Sequence, residues 1–216
     1  MAGVIRAIDL RVVATIGAIV IVSLAVLAAL YRGEVRLLSL GEEFTIPAAV
    51  SGLLLLAAAV AALLVARLWS GSRAGARAAL ALACFFAFMA LDEMLFLHER
   101  LETWTGIDWQ VLYLPVALIG GVAWLMVLRR LFAYPHAAGL FVAGAAAWVV
   151  SQAIELVQWN GDVLVYPWLN FPEETLEMTG SLLFALGLLA GLQAWMRVPA
   201  PALAPSPRRG VPARTA

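Results

Sequence analysis

The chain has no lysine, one cysteine and two histidines in 216 residues, and only 13% of it is charged. Each shortage excludes a chemistry. Without lysine there is no Schiff-base attachment of a retinal-type chromophore. Cys84, alone inside an apolar run, allows no disulfide framework, no CxxC redox pair and no thiolate metal site. His136 falls in a turn beside Pro135, so His98 is the only imidazole at membrane depth and paired-histidine haem ligation is excluded. No HExxH, GxSxG, P-loop or GxGxxG occurs, and there is no arginine ladder of the voltage-sensor kind.

What the chain has is apolar length. It is 64% hydrophobic with a mean hydropathy of +0.95, far from the roughly 45–50% apolar and 25% charged residues of a soluble domain. Unbroken runs of about 20 apolar residues are each long enough to cross a bilayer. They predict an all-α fold, a polytopic membrane helix bundle with six transmembrane helices at about 12–30, 46–68, 78–99, 109–131, 137–159 and 173–196, forming one domain over residues 1–197. The first run is longer than the roughly 7–15 residues of a signal-peptide core, so it is expected to be retained. Thr45 with Pro47, and Asp108, mark helix starts, while Asn170 and Glu173 have the spacing of a capping pair with Pro172 in the first turn. Residues 198–216, rich in Pro, Ala and Arg, are expected to form a disordered tail.

Six spans place both termini on one side, and the arginines say which. With the termini and the second and fourth loops together, eleven of the 14 arginines lie on that side with a single acid, Asp9. The other 13 acids lie opposite, with Arg32, Arg36 and Arg100. The positive-inside rule therefore predicts cytoplasmic N- and C-termini. The all-arginine basic set and the Ala, Val and Leu richness point to a GC-rich bacterial genome and hence to the inner membrane. Tyr31, Trp104, Trp109, Tyr113, Trp159, Tyr166 and Trp168 sit at the expected outer boundary as an aromatic belt.

Three acidic stretches interrupt the apolar pattern. Residues 91–102, LDEMLFLHERLE, end the third run, EETLEM at 173–178 opens the sixth, and Glu155 lies with Gln152 and Gln158 late in the fifth. A carboxylate at the centre of a membrane helix costs roughly 2.5–3.5 kcal/mol, which makes such residues functional candidates by default. The third and fifth helices run outward and the sixth inward, so the three stretches are expected to meet near the outer surface. On one continuous helix, Asp92, His98, Glu99 and Glu102 would share an arc of about 120°, leaving Glu93 to find a separate partner. A carboxylate-rich site with one imidazole suits a divalent ion such as Mg, Ca, Mn, Fe or Zn. The candidate ligands are Asp92, Glu93, His98, Glu99, Glu155, Glu174 and Glu177, and no residue is assigned to catalysis.

Plainer roles stand beside these. Glu173 and Glu174 are where acids favour a helix N-terminus, and Glu99, Glu102 and Asp108 have the positions of solvated loop charges. Trp124 and Trp148 fit core filling, and Gly187 with Gly191 forms a GxxxG pattern that permits close helix packing. The LDEM segment resembles the Asp-Glu motif of alkaline ceramidases, but that family needs several zinc histidines, including a late HxxxH, which this chain lacks. The combination of DE-x4-HE at 92–99 with EExxEM at 173–178 resembles a family of small bacterial six-helix membrane proteins. That resemblance implies the fold and no activity.

Three functions are compatible with this pattern. A transporter or channel would coordinate or relay its ion through the carboxylates. A membrane-embedded enzyme acting on a lipid or lipid-linked substrate would use a metal-activated water, or a carboxylate base with His98 assisting. A structural subunit would use the acids to bind a partner, and the short loops direct such a contact to helix faces, of another protein or of a second copy. The bilayer is the expected partner, and nucleic acid is not. Ser51, Ser151, Thr179, Ser181 and Gln193 are the few polar residues expected to continue toward the inner half, which favours a one-sided site over a full pathway.

Overall fold

The computed structural model describes residues 2–31, 34–40, 45–160 and 163–197. The expected tail at 198–216 lies outside the described residues, as do Arg32, Glu42, Glu43 and Asp162, and the side chain of Trp159. Eight α-helices make up the described chain: α1 (Ala2–Ala7), α2 (Leu10–Tyr31), α3 (Ile46–Leu68), α4 (Arg73–Leu95), α5 (Leu97–Thr105), α6 (Trp109–Leu131), α7 (Pro135–Gln158) and α8 (Asn170–Arg197). A two-stranded antiparallel ribbon, β1 (Trp159–Asn160) with β2 (Val163–Leu164), joins α7 to a short 3₁₀ turn before α8. By length and hydropathy α2, α3, α4, α6, α7 and α8 are six membrane spans, so this is an all-α multi-pass membrane protein.

The helix starts follow from capping chemistry. The Thr45 hydroxyl accepts the Ala48 N–H with Pro47 in the first turn, Ser72 accepts from Gly75, and Asp108 accepts from Gln110. Each satisfies a backbone donor that a helix end otherwise leaves open. At α8 the outcome differs from the expected capping pair. Asn170 is the first helical residue and its amide donates to the Leu40 carbonyl at 3.0 Å, while Glu173 is buried.

Helix α8 is the axis of the bundle, contacting α1, α2, α3 and α7. Small residues decide these contacts, since membrane helices associate through close packing rather than a hydrophobic driving force. A Cβ at Gly144 of α7 would lie 2.9 Å from the Gly180 carbonyl oxygen of α8, and one at Gly187 would lie 2.9 Å from the Phe141 nitrogen. The two backbones approach so closely that neither position has room for a side chain. Ala58, Ala61 and Ala62 of α3 and Ala78, Ala79 and Leu82 of α4 are buried in one core cluster, and α3 and α4 are in contact.

α6 leans on α4, whereas α7 leans on α8, so these two consecutive helices part beyond the turn that joins them. The space between them is floored by an aromatic cluster: Phe85 against Trp148, Phe86 against Phe184, and Trp124 stacked on Phe141 at 5.5 Å. That space holds the site.

Candidate functional site

The third span was expected to continue to Glu99, and it does not. It stops at Leu95, and Phe96 adopts the left-handed conformation at φ 53°, ψ 47°, the only non-glycine residue with positive φ among those described. Such a conformation costs a bulky residue roughly 1–2 kcal/mol. What holds it is visible around Asp92. One carboxylate oxygen accepts the His98 backbone N–H at 2.9 Å and the Tyr113 hydroxyl at 2.7 Å, and the other accepts His98 Nδ1–H at 2.8 Å. Asp92 therefore caps α5 across the break, and it is 3% exposed. The shared arc expected of Asp92, His98, Glu99 and Glu102 is replaced by a kink that turns His98 back onto Asp92.

His98 is thereby oriented by a carboxylate through Nδ1, with Nε2 left for proton exchange, and its ring lies 5.1 Å from that of Trp109. Burial opposes the imidazolium, but the hydrogen bond and charge of Asp92, with Glu99 and Glu155 beyond it, prevail and raise the imidazole above its usual value.

The other acids occupy different surroundings. Glu155 accepts from Trp109 Nε1 at 3.1 Å and from Gln110 Nε2 at 3.4 Å. Glu173 accepts from Gln158 at 3.4 Å, and Glu177 from Gln152 at 3.0 Å. The Trp148 indole donates to the Glu177 carbonyl and the Ser181 hydroxyl, each at 3.2 Å. Glu93, Glu174 and Glu177 each bring a carboxylate oxygen to within 4.8 Å of the others. Two oxygens on opposite sides of a calcium ion at 2.3–2.6 Å would stand about 4.6–5.2 Å apart, so this triad could hold a divalent cation.

All seven candidate ligands line one cavity of 730 Å³. Six of them form three groups within it: the triad, the Asp92–His98 pair, and Glu155 against the start of α6. Glu99, in the first turn of α5, is at the exposed rim. Glu173 also lines the cavity and is 6% exposed, although the sequence pattern offered it as a helix-start acid. Trp109 and Tyr113 were placed in the aromatic belt, yet both donate hydrogen bonds to site carboxylates. Their i,i+4 spacing on the helix facing the acids was the available signal.

Of the polar residues expected toward the inner half, Ser51 lines the cavity beside Glu93 and Ser151 reaches a Glu177 carboxylate oxygen at 3.5 Å, so both belong to the site. Ser151 donates to the Trp148 carbonyl, Ser181 to that of Glu177, and the Gln193 amide to those of Ile5 and Ile8.

Six spans and a cavity lined by acids define a multi-pass membrane protein with a site able to take a cation. The chain belongs to the family of a domain of unknown function, DUF8692, whose profile matches residues 10–192. No curated protein and no solved structure matches it.

Proposed function

We propose that this is a bacterial inner-membrane protein, with both termini cytoplasmic, whose cavity opens outward and binds a divalent cation at Glu93, Glu174 and Glu177. The observation that carries this reading is the triad itself: three carboxylates from two helices whose oxygens lie within 4.8 Å of one another. Like charges so close oppose one another unless protons or a cation intervene. Oxygen ligands of this kind suit Mg, Ca or Mn, with Fe and Zn as borderline alternatives. Asp92, His98, Glu99 and Glu155 form the surroundings that position the ligands and carry protons to and from them. Capture of an ion from the outer side, as the first step of transport, is the function such a site would serve.

A second reading is a membrane-embedded, metal-dependent hydrolase acting on a lipid or lipid-linked substrate. The Asp92–His98 pair favours it. An imidazole held through Nδ1 by a buried carboxylate is the arrangement a general base requires.

The test is metal content by plasma mass spectrometry, measured on detergent-purified protein after incubation with Mn, Ca or Zn. Wild type is expected to retain about one ion per chain, and Glu93→Gln, Glu174→Gln and Glu177→Gln to lose it while still folding. Wild-type protein free of every metal offered would sink the cation reading and leave proton sharing among the three glutamates.

A further inference from the structure

The triad fills only one end of the cavity. A single ion leaves most of 730 Å³ untouched, and that volume lies in the range of pockets that enclose whole organic ligands, about 300–1,000 Å³. Its two ends differ in chemistry. At the mouth stand the acids, with no arginine among the described lining residues; the body is lined by Leu82, Phe85, Met89, Val116, Trp124 and Val142. From Trp109 to Trp124 along α6, and from Glu155 back to Val142 along α7, the walls run about 20 Å at 1.5 Å per residue. That exceeds half of the roughly 30 Å hydrocarbon thickness of a bilayer, so the cavity is deep enough for a chain as long as one leaflet.

The cavity is also open sideways. Val149 is 69% exposed and Val142 is 42% exposed, yet both line it. Gly121, on the opposite lip, lines it as well and is exposed, and a Cβ there would meet nothing within 4 Å. The gap between α6 and α7 therefore faces the lipid. At the mouth, Gln158 is 2% exposed and its Oε1 has no hydrogen-bond partner. Buried acceptors without a donor are costly, and here every carboxylate beside it is an acceptor too. The missing complement is a positively charged group with several N–H donors, attached to an apolar chain.

We propose that the cavity binds a single-chain amphiphile with a primary ammonium head. The head lies among Glu93, Glu174, Glu177 and Gln158, and the chain lies along the aromatic wall after passing between α6 and α7. The ammonium supplies three donors, which the unpartnered Gln158 Oε1 and the Glu93 and Glu177 carboxylates can accept beside the bonds that Gln152 and Ser151 already give Glu177. This inference shares the carboxylates of the cation reading but not the metal. The two ligands compete for the mouth, and either can fail alone.

The experiment is native mass spectrometry of the full chain in a neutral detergent with dodecylamine or dodecyl phosphate, and Mn content is read on the same samples. Wild type is expected to retain one dodecylamine at least tenfold more strongly than dodecyl phosphate, and added Mn is expected to displace it. Gly121→Leu and Val149→Trp fill the two lips and leave the carboxylates in place, so each should weaken dodecylamine at least tenfold with Mn uptake unchanged. Equal retention of dodecyl phosphate, or full dodecylamine retention in both variants, would overturn the proposal. Wild type that holds Mn but no dodecylamine would overturn it too, leaving the triad standing. Wild type that holds dodecylamine but no Mn would uphold it and remove the metal.

Discussion

Asp92 and Glu93 are consecutive in the chain and line the same cavity, yet their surroundings are opposite in kind. Asp92 receives three hydrogen bonds from two residues and is 3% exposed. Glu93 meets two more carboxylates, from Glu174 and Glu177 on α8. Successive helical positions differ by about 100°, so the two side chains diverge toward different neighbours. Asp92 points at donors the fold has assembled for it, and Glu93, with the Ser51 hydroxyl beside it, points at two further carboxylates that need a cation or protons from outside. An acid whose donors are built in is part of the scaffold. An acid crowded by two other carboxylates is where a ligand completes the structure.

The strongest way to break this contrast is to neutralise each acid. Asp92→Asn can keep both bonds at Oδ1, but its Nδ2 can only donate, so His98 must turn Nδ1 into an acceptor and all three bonds lose the charge of the carboxylate. Hydrogen bonds to charged groups contribute about 1.5–3 kcal/mol each, so a loss on the order of 3 kcal/mol in detergent unfolding is expected. The break at Phe96 should loosen as well, seen as faster hydrogen exchange over residues 96–105. A neutral outcome would mean that the carboxylate is not what holds α5.

Glu177→Gln should act with the other sign. In chelator it relieves the crowding of three carboxylates and is expected to raise stability by about 1 kcal/mol, the bulk-water scale of one charge pair at about 4 Å. Adding Mn at about 100 times its dissociation constant should stabilise wild type by about 2.7 kcal/mol and the variant hardly at all. A variant less stable than wild type in chelator would place Glu177 with Asp92 in the scaffold, through its bond from Gln152.

Much of this was legible in the chain, because its causes are local. Apolar runs and caps such as Thr45 and Asp108 are properties of short segments, and the three acidic stretches could be brought together by counting spans. The break at Phe96 was not legible. Left-handed backbone is usually announced by Gly or Asn, and here LFLHE carries neither. Its cause is Asp92 reaching six residues ahead, together with a tyrosine 21 residues on, which no local pattern encodes. Continuing the helix through Phe96 put Asp92 and His98 on a shared face without showing that they bond. Glu173 is a similar case. Its place in the first turn suggests capping, and only the arrival of Gln158 from α7 makes it a buried residue of the cavity wall.

The smallest effect tests the Asp92 side of the contrast through its partner. His98 is raised above the usual histidine value of about 6.5, which means that the folded chain binds this proton more tightly than the unfolded chain. Its stabilising contribution is therefore complete below that value and is lost as pH rises through the higher folded value. The unfolding midpoint of wild type should fall across that window. Asp92, Glu99 and Glu155 all face His98, so the informative quantity is wild type minus His98→Gln at each pH. The step is modest because burial works against the charged ring, and only the excess of pairing over burial remains. A difference that rises with pH would show that burial prevails, and Asp92 would then be holding a neutral imidazole by geometry alone. A falling difference that Asp92→Asn abolishes would show that it is the charge of Asp92 that keeps the proton on His98.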